Sequence, residues 1–263
     1  MDMSRVSACT IPLISRPLEE ALKTIAATGF KKVDLLGRMP HFSLDPREYD
    51  PAQAKAMAQA HGLRIANLGT YVGKGFASDD LAVQQEELKQ VYRAIDVAAL
   101  LGACSIRVSP GDDDPKHVDR IIPWFQRSAA YAARKNVRLG FENHGGGISG
   151  KPEVCRELAL EIESPFFGVL YEPCNLLAAG VDYHTAFEIM KGHITHVHLK
   201  DGATTPSGFE HTMLGEGVID FRWIIKQLDA TGYKGDWALE YEVHSEPPET
   251  GLEKWYDWFK ALR

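Results

Sequence analysis

The stretch that decides the fold is Val137-Arg138-Leu139-Gly140-Phe141-Glu142, a short, largely apolar run that ends in a carboxylate. Three later runs have the same form, because each is short and apolar and then closes on an acidic or imidazole side chain. The closing residues are Glu172 after Phe167–Tyr171, His198 after Ile194–Val197, and Glu240 after Trp237–Leu239. This repetition predicts successive strands whose ends carry the chemistry of the protein.

Strand-like and helix-like segments alternate along the whole chain. The predicted strands are Val6–Cys9, Lys32–Leu36, Arg64–Leu68, Ser105–Val108, Arg138–Glu142, Phe167–Tyr171, Ile194–His198 and Trp237–Glu240. The predicted helices are Pro17–Ala27, Pro51–Ala60, Asp79–Leu101, Val118–Lys135, Pro152–Ile162, Tyr183–Met190, Phe221–Thr231 and Gly251–Leu262. Proline at several helix starts and glycine just after several helix ends support these boundaries.

Eight strands with eight helices is the count of a single (β/α)8 TIM barrel, in the α/β class. The chain of 263 residues is 44% apolar and shows no linker or change of composition, so one domain over residues 1–263 is expected. A doubly wound open sheet is the alternative, but it would spread the four closing residues along one edge. In a barrel the strand ends converge on one rim, and we therefore favour the barrel.

Composition excludes several classes of function. The formal net charge of −7 argues against a nucleic-acid partner, since phosphates need a basic face. No stretch has the length and hydrophobicity of a membrane span, and the first residues lack the apolar core of a signal peptide. The four cysteines are isolated in sequence, which is typical of reduced thiols and predicts a cytoplasmic protein. Homo-oligomerisation is left open.

Three carboxylates and one imidazole on a common rim predict a divalent metal site, because such ions prefer oxygen and nitrogen ligands. A carboxylate directly after an apolar strand is costly to desolvate unless it is paired or bound to a metal. The alternative is a set of salt bridges, with Arg107 or Lys200 as the cation. Period-2 alternation places His196 and His198 on the same side of their strand, with His198 nearer the rim.

Two short motifs point elsewhere and are rejected. The glycine and lysine pattern of Gly145–Lys151 meets most of a phosphate-loop motif, but Pro152 replaces the Ser or Thr that would hold Mg²⁺. His144–Gly147 is similar to an oxyanion loop of esterases, yet the chain has no Gly-x-Ser-x-Gly nucleophile motif. Neither motif therefore predicts the activity.

A set of longer motifs, specific only when taken together, covers nearly the full length of the chain. They are Gly29–Asp34, Glu142–Gly146, Glu172–Asn175, His196–Asp201, Leu214–Phe221 and Gly232–Gly235. With them the chain resembles the xylose-isomerase-like TIM-barrel superfamily of sugar phosphate isomerases and epimerases. The resemblance implies one divalent metal ion on Glu142, Glu172, His198 and Glu240, Mn²⁺ first and Mg²⁺, Co²⁺ or Zn²⁺ as alternatives.

The sequence departs from the family pattern after the sixth strand. Glu172 stands where the family usually has the shorter Asp, and Asn175 replaces a frequent His. The superfamily also contains DNA repair enzymes of the endonuclease-IV type, which need further metal ligands. Ser109, Asn175 and Phe209 occupy positions where those ligands are expected, so DNA repair is rejected.

The resemblance implies a metal-dependent isomerase or epimerase of a keto-sugar or related polyol. A proton would be removed and returned through a metal-bound cis-enediolate, with Glu142 and Glu240 as the acid/base pair. The expected substrate contacts are His144, Asn143, Asn175, Lys200, His211 and Arg107. Tyr71 and Phe76 would line the pocket or belong to the core. Whether the sugar or polyol is phosphorylated is left open.

Two other functions are compatible with the same residues. A metal-dependent lyase or dehydratase would use the same base for β-elimination on a keto-inositol, a dehydroshikimate-like compound or an oxidised glycoside. A barrel without catalysis could serve as a binding or scaffold subunit. A barrel that had lost catalysis would be expected to have lost metal ligands. Only Glu172 differs from the family's ligand set, so the scaffold is the less favoured of the two functions.

Overall fold

A closed parallel barrel forms the centre of the computed structural model, which describes residues 2–111 and 114–262. The strands are β1 (Val6–Cys9), β2 (Lys32–Leu36), β3 (Arg64–Gly69), β4 (Ser105–Val108), β5 (Arg138–Glu142), β6 (Phe167–Tyr171), β7 (Ile194–Leu199), β8 (Asp201–Thr205), β9 (Gly208–Thr212) and β10 (Trp237–Leu239). The barrel order is β1-β10-β7-β6-β5-β4-β3-β2, and β8 and β9 form a separate antiparallel hairpin. The predicted TIM barrel is thus confirmed.

Helices connect the barrel strands. They are α1 (Leu18–Ala27), α2 (Pro51–Ala60), α3 (Leu81–Leu101), α4 (Val118–Lys135), α5 (Pro152–Ile162), α6 (Pro173–Ala178), α7 (Tyr183–Met190), α8 (Phe221–Ala230) and α9 (Pro248–Ala261). Short 3-10 helices cover Met3–Arg5, Ile11–Leu13, Lys74–Ala77 and Pro115–His117. Aspartates cap α2, α3, α7 and α8 by accepting backbone N–H groups, which fixes where these helices begin. Within the described ranges, no helix is both long and apolar enough to cross a membrane.

Besides the short 3-10 helices, the structure adds a helix and a hairpin that the sequence pattern did not predict. Helix α6 is short and begins directly at the end of β6, so its pattern is too brief to show helical periodicity. The β8–β9 hairpin is half-exposed and polar, and its sequence reads as a loop. The hairpin extends β7 beyond the barrel and carries His211 on its second strand.

The four predicted ligands all lie at one end of the barrel, where the strands have their C-termini; we call it the upper end. Glu142 is the last residue of β5 and His198 lies on β7. Glu172 and Glu240 directly follow β6 and β10. In the sheet register His198 pairs with Ala238, which brings the ends of β7 and β10 together.

A buried aspartate fixes the loop that follows the hairpin. Asp201, which is fully buried, accepts backbone N–H groups of Gly215 and Gly217 with one oxygen and of Ile219 with the other, at 2.9 to 3.2 Å. A Cβ on Gly217 would lie 2.1 Å from Asp201 Oδ1, so only glycine permits this approach. The loop is thereby held close to the upper end of β7.

Candidate metal centre and active site

Three predicted ligands converge at the upper end. Ligand atoms of Glu142, His198 and Glu240 lie within 4.8 Å of one another, and all three side chains are buried. His198 Nδ1 is 2.8 Å from Glu142 Oε1 and 3.6 Å from Glu240 Oε2. The imidazole therefore lies between the two carboxylates that the resemblance names as an acid/base pair.

Glu172 lies beside this group, outside the 4.8 Å cluster. Its Oε1 accepts the backbone N–H of Cys174 at 2.9 Å, which makes Glu172 the N-cap of α6. Its Oε2 is 3.1 Å from Lys200 Nζ, but the pair does not have hydrogen-bond geometry. Glu172 Oε2 is buried without a hydrogen-bond partner in the described structure, which leaves one carboxylate oxygen available for a cation.

Lys200 is the cation of the β10 side of the site. Its ammonium group lies 2.8 Å from Glu240 Oε2 and 2.5 Å from Glu242 Oε2, and only 3% of the residue is exposed. His211 on the hairpin has its Nδ1 3.8 Å from the same Glu242 carboxylate. Lys200 thus neutralises carboxylates that a metal would otherwise have to neutralise alone.

Arg107 is the cation of the β5 side. Its Nη1 donates to Glu142 Oε2 at 2.7 Å and its Nε donates to the carbonyl of Thr70 at 3.0 Å. Arg107 Nη2 is buried and has no hydrogen-bond partner among the described residues. The salt bridges that formed the alternative to a metal site are therefore present, with both of the cations that were considered.

The salt bridges do not balance the charge. Within this part of the site, five carboxyl groups face three cationic side chains, Arg107, Lys200 and the His198 imidazole. The carboxyl groups are Asp34, Glu142, Glu172, Glu240 and Glu242. Because unpaired buried carboxylates are costly, this excess favours a further bound cation.

The carboxyl groups respond differently to this environment. Burial raises the pKa of Glu142, but the His198 imidazole and the Arg107 guanidinium outweigh it and lower the pKa to about 2. The same competition, with Lys200 and His198 as partners, holds the pKa of Glu240 well below its usual range. For Glu172 burial outweighs Lys200 and raises the pKa to about 8. The surroundings thus favour the ionised form of Glu142 and Glu240, whereas burial makes the ionised form of Glu172 costly unless a further cation binds.

The surroundings of His198 favour its protonated form. Burial lowers the pKa of the imidazole, but the Glu240 and Glu142 carboxylates more than offset it and raise the pKa well above the usual value. The Cys9 thiol, 4.0 Å from Nε2, adds no charge, because burial raises the pKa of that thiol as well. A metal at Nδ1 would take the place of one proton.

These observations fit one divalent cation. Two carboxylates and an imidazole nitrogen converge, a third carboxylate has a buried oxygen without a hydrogen-bond partner, and negative charge is in excess. Oxygen-rich sets with a single histidine suit Mn²⁺ or Mg²⁺, and Zn²⁺ or Co²⁺ also accept them. The choice among these ions remains a prediction.

A cavity of about 510 Å³ opens beside Glu142. Its lining includes Tyr71, Lys74, Arg107 and His144. Tyr71 lies under the Arg107 guanidinium, with 4.3 Å from Cζ to the ring centroid, and is partly exposed at the cavity. Phe76, the other aromatic residue considered for the pocket wall, is fully buried in the core instead.

The predicted substrate contacts divide into three groups. Arg107 and His144 line the cavity beside Glu142. Lys200 and His211 lie around Glu242, on the β10 side. The last two, both asparagines, use their amides within the protein: Asn143 donates to the carbonyl of Ser149 and Asn175 donates to the carbonyl of Asn143.

The sequence prediction missed Asp34, whose carboxylate lies 3.0 Å from His198 Nε2 and 2.8 Å from His196 Nε2. Asp34 interrupts the apolar run of β2 at its middle residue, whereas Glu142 closes β5. That acidic interruption of a strand is the signal that could have identified it.

A family model described as xylose isomerase-like TIM barrel matches residues 22–262. The chain belongs to this family. The resemblance inferred from sequence motifs is therefore confirmed, and so is the assignment to an enzyme family of the isomerase and epimerase class.

Relatives within the xylose isomerase-like family are distant but nearly full-length. The L-ribulose-5-phosphate 3-epimerase UlaE of Shigella flexneri is 26% identical over 253 residues, which cover 92% of this chain and 88% of that protein. A xylose isomerase-like TIM barrel protein from Mycobacterium smegmatis, solved in complex with magnesium, superimposes with a TM-score of 0.80 at 15% identity, over 98% of both chains. An L-ribulose 3-epimerase structure gives 0.78 at 18% identity, over 98% of this chain and 93% of that one.

Proposed function

We propose that this chain is a divalent-metal-dependent epimerase or isomerase of a ketose, acting at the carbon beside the carbonyl group. The observation that carries the proposal is the pair of buried, ionised carboxylates, Glu142 and Glu240, that flank His198 Nδ1 next to a cavity. Proton removal and return at one carbon needs two such groups within reach of it. The relative named as a 3-epimerase of a ketose phosphate supports the same class of reaction.

Glu142, Glu172, His198 and Glu240 would hold the metal ion in this proposal. When bound, the ion supplies Lewis-acid chemistry, which polarises the substrate's carbonyl and makes the neighbouring C–H more acidic. The orphaned oxygen of Glu172 and the excess of carboxylates are the structural reasons for including all four residues.

Glu142 and Glu240 serve as the proton-transfer groups on the two faces of the reacting carbon. Arg107 keeps Glu142 ionised and Lys200 keeps Glu240 ionised, so each is ready to accept a proton at neutral pH. Glu142 lines the cavity. One carboxylate removes the proton from one face, and the opposite carboxylate, once it has taken up a proton from solvent, delivers that proton to the other face and inverts the carbon. Delivery to the neighbouring carbon isomerises the sugar instead, and the first carboxylate then releases its proton to solvent.

The cavity also suits an anionic substituent on the substrate. Lys74 and Arg107 both line it, and Lys74 has no carboxylate partner among the residues that the structure describes. A phosphate at the far end of a ketose could therefore bind on this side. We include phosphorylated ketoses, L-ribulose 5-phosphate among them, in the proposed substrate class.

The test is proton exchange in D₂O with and without the metal. Metal-free protein, prepared with a chelator, is compared with protein reloaded with Mn²⁺, Mg²⁺, Co²⁺ or Zn²⁺ on a panel of free and phosphorylated ketoses. The expected result is deuterium at the carbon beside the carbonyl and formation of the epimer or the isomer, lost on chelation and restored by one ion per chain.

Other outcomes have defined meanings. An unsaturated product with loss of water or of an alcohol would show elimination instead of epimerisation. Stoichiometric metal without exchange on any ketose would contradict the proposed substrate class. Protein that binds no divalent ion and exchanges nothing would reject the enzyme proposal and leave the salt-bridged barrel as a scaffold.

A further inference from the structure

A buried carboxylate on β2 contacts the imidazole of His198 at the ring nitrogen that does not face Glu142. Asp34 is 3% exposed, and its Oδ2 accepts from two ring nitrogens, His198 Nε2 at 3.0 Å and His196 Nε2 at 2.8 Å. These two histidines lie two residues apart on β7, so their rings point to the same side and share one acceptor. Asp34 is thus in contact with His198 through Nε2, whereas Glu142 lies at Nδ1.

Two further side chains hold Asp34 in place. The Asn67 amide on β3 donates to both Asp34 oxygens, at 2.8 and 3.0 Å. The Ser105 hydroxyl on β4 in turn donates to Asn67 Oδ1 at 2.7 Å. Asn67 is fully buried, and Ser105 is 4% exposed. The three residues therefore form a chain across three adjacent strands, which fixes the direction of the Asp34 carboxylate.

The contact determines which nitrogen of His198 faces the carboxylates. A nitrogen that donates to Asp34 must carry a hydrogen, so Nε2 is protonated. Of the two ring nitrogens, Nδ1 is then the one that can give up its proton and offer a lone pair to a metal. It is also the one near Glu142 Oε1 and Glu240 Oε2. We propose that Asp34 is a positioning residue, which selects the Nε2–H form of His198 and holds Nδ1 toward the metal.

This inference rests on the proposed metal site but concerns a residue outside the ligand set. Carboxylates that hydrogen-bond the far nitrogen of a metal-binding histidine fix the ring and typically change metal affinity 10- to 100-fold. Asp34 would act on the ion only through His198, since Glu142 and Glu240 do not contact it in the described structure. A purely structural role would instead affect stability without changing the affinity.

The test compares Asp34→Asn with Asp201→Asn. Both replace a buried aspartate at the upper end, but Asp201 accepts backbone N–H groups and does not contact the ligand set. We expect Asp34→Asn to weaken Mn²⁺ binding by roughly 10- to 100-fold in titration calorimetry or chelator competition. We expect Asp201→Asn to lower the melting temperature and to change the Mn²⁺ dissociation constant less than threefold.

Two further variants keep the inference testable if Asp34→Asn does not fold. Asn67→Ala leaves the carboxylate but removes its support, and a smaller loss of affinity, about 2- to 10-fold, is expected. His196→Gln removes the other donor to Asp34 and should leave the affinity within twofold, because Asp34 still contacts His198. Nitrogen-15 NMR of the Zn²⁺-loaded wild type should place the remaining ring proton of His198 on Nε2.

The failures are distinguishable. If wild-type protein binds no divalent ion, the proposed function itself fails. If wild type binds Mn²⁺ but neither Asp34→Asn nor Asn67→Ala weakens it beyond the Asp201→Asn control, Asp34 is only structural. A His198 ring proton on Nδ1 in the Zn²⁺-loaded protein would also overturn the inference.

Discussion

The two ends of the barrel treat buried charge in opposite ways. At the lower end, where strands begin, Arg5 donates to the carbonyls of Gly235 and Tyr233 at 2.9 and 3.0 Å. The Lys32 ammonium there pairs with the single carboxylate of Asp236. At the upper end five carboxyl groups share Arg107, Lys200 and the His198 imidazole, and three of these carboxyl groups lie around Lys200 alone.

This difference in charge pairing indicates that the lower end contributes to stability and the upper end to chemistry. Arg5 and Lys32 at the lower end each meet partners on the loop between α8 and β10, so they hold the strand starts together. The upper end keeps negative charge in excess and one carboxylate oxygen without a hydrogen-bond partner, which is unfavourable for folding alone. In TIM barrels the loops at the C-terminal ends of the strands form the active site, and the charge excess identifies this end independently.

The largest expected effect is a loss of catalytic rate when a carboxylate at the upper end is neutralised. Glu142→Gln and Glu240→Gln should each lower the epimerisation rate by about 10²- to 10⁴-fold, the usual contribution of a positioned acid or base. Each substitution removes one charge from the excess, so the fold should persist. Rates measured by NMR, with circular dichroism as the check on folding, give both quantities.

Glu86→Gln is the matched control, since Glu86 is exposed on α3 and pairs only locally with Lys89 and Gln90. It should leave the rate unchanged. Equal epimerisation rates in Glu142→Gln, Glu240→Gln and the control would contradict a catalytic role for the upper end, because its carboxylates would then matter no more than one on a helix surface.

A pair of lysine substitutions compares the two ends by stability. Lys200→Met leaves Glu240 and Glu172 buried without their cation and should cost about 3–5 kcal/mol in the free energy of unfolding of the metal-free protein. Lys32→Met removes a partly exposed pair at the lower end and should cost about 1 kcal/mol or less. Urea unfolding followed by circular dichroism measures both.

Added Mn²⁺ sharpens this comparison. It should restore part of the stability of Lys200→Met, because the ion neutralises the same carboxylates. The stability of Lys32→Met relative to wild type should not depend on the metal. Equal losses for both variants, insensitive to metal, would mean that the upper end is an ordinary set of salt bridges.

A smaller effect is expected at Asp201, an upper-end carboxylate whose two oxygens both accept backbone N–H groups. In Gly217→Ala the new Cβ would meet Asp201 Oδ1 at 2.1 Å and the carbonyl of Gly202 at 2.6 Å, so the loop must move. A loss of about 1–3 kcal/mol is expected by thermal or urea unfolding. Gly145→Ala is the control, since its Cβ would meet only Ala179 at an ordinary 3.6 Å.

The smallest expected effect is a pH dependence that contrasts two buried histidines of the upper end. His41 is fully buried between Thr10 Oγ1 and the carbonyl of Leu13, both at 3.0 Å. Burial lowers the pKa of His41, whereas the pKa of His198 is raised. A lowered histidine pKa means that the unfolded chain takes up the proton first, so the contribution of His41 to stability is complete above pH 6.5 and is lost as the pH falls below it.

The measurement is the difference in unfolding free energy between wild type and His41→Gln across pH 5 to 8. As the pH falls below 6.5, wild type should lose unfolding free energy relative to His41→Gln. A constant difference over this range would show that His41 does not titrate in the way its burial implies.

Much of the fold and part of the site could be predicted from the sequence. The barrel strands have clear apolar runs, and residues such as Glu142 and Glu240 stand out because a carboxylate there interrupts the pattern. Convergence of distant strand ends then follows from closure of the sheet alone. The sequence pattern does not tell which way a side chain points. Side-chain orientation decides that Asn143 and Asn175 bind loop carbonyls and that Glu172 caps α6.

Asp34 illustrates the other limit of sequence reasoning. Its role depends on contacts with His196, His198 and Asn67, which are distant from it in sequence. No local pattern records such contacts. The hairpin β8–β9 was missed for a different reason, since polar residues in both strands give no alternation to detect.

The shared acceptor on Asp34 also has a consequence for how relatives of this chain can diverge. One oxygen serves two histidines, and the same carboxylate is the partner of Asn67. A single change at any of these positions deprives a buried polar group of a hydrogen-bond partner, whereas a combined change can restore the partners. Substitutions at residues 34, 67 and 196 should therefore appear together across lineages, while the exposed hairpin that carries His211 is free to vary one residue at a time.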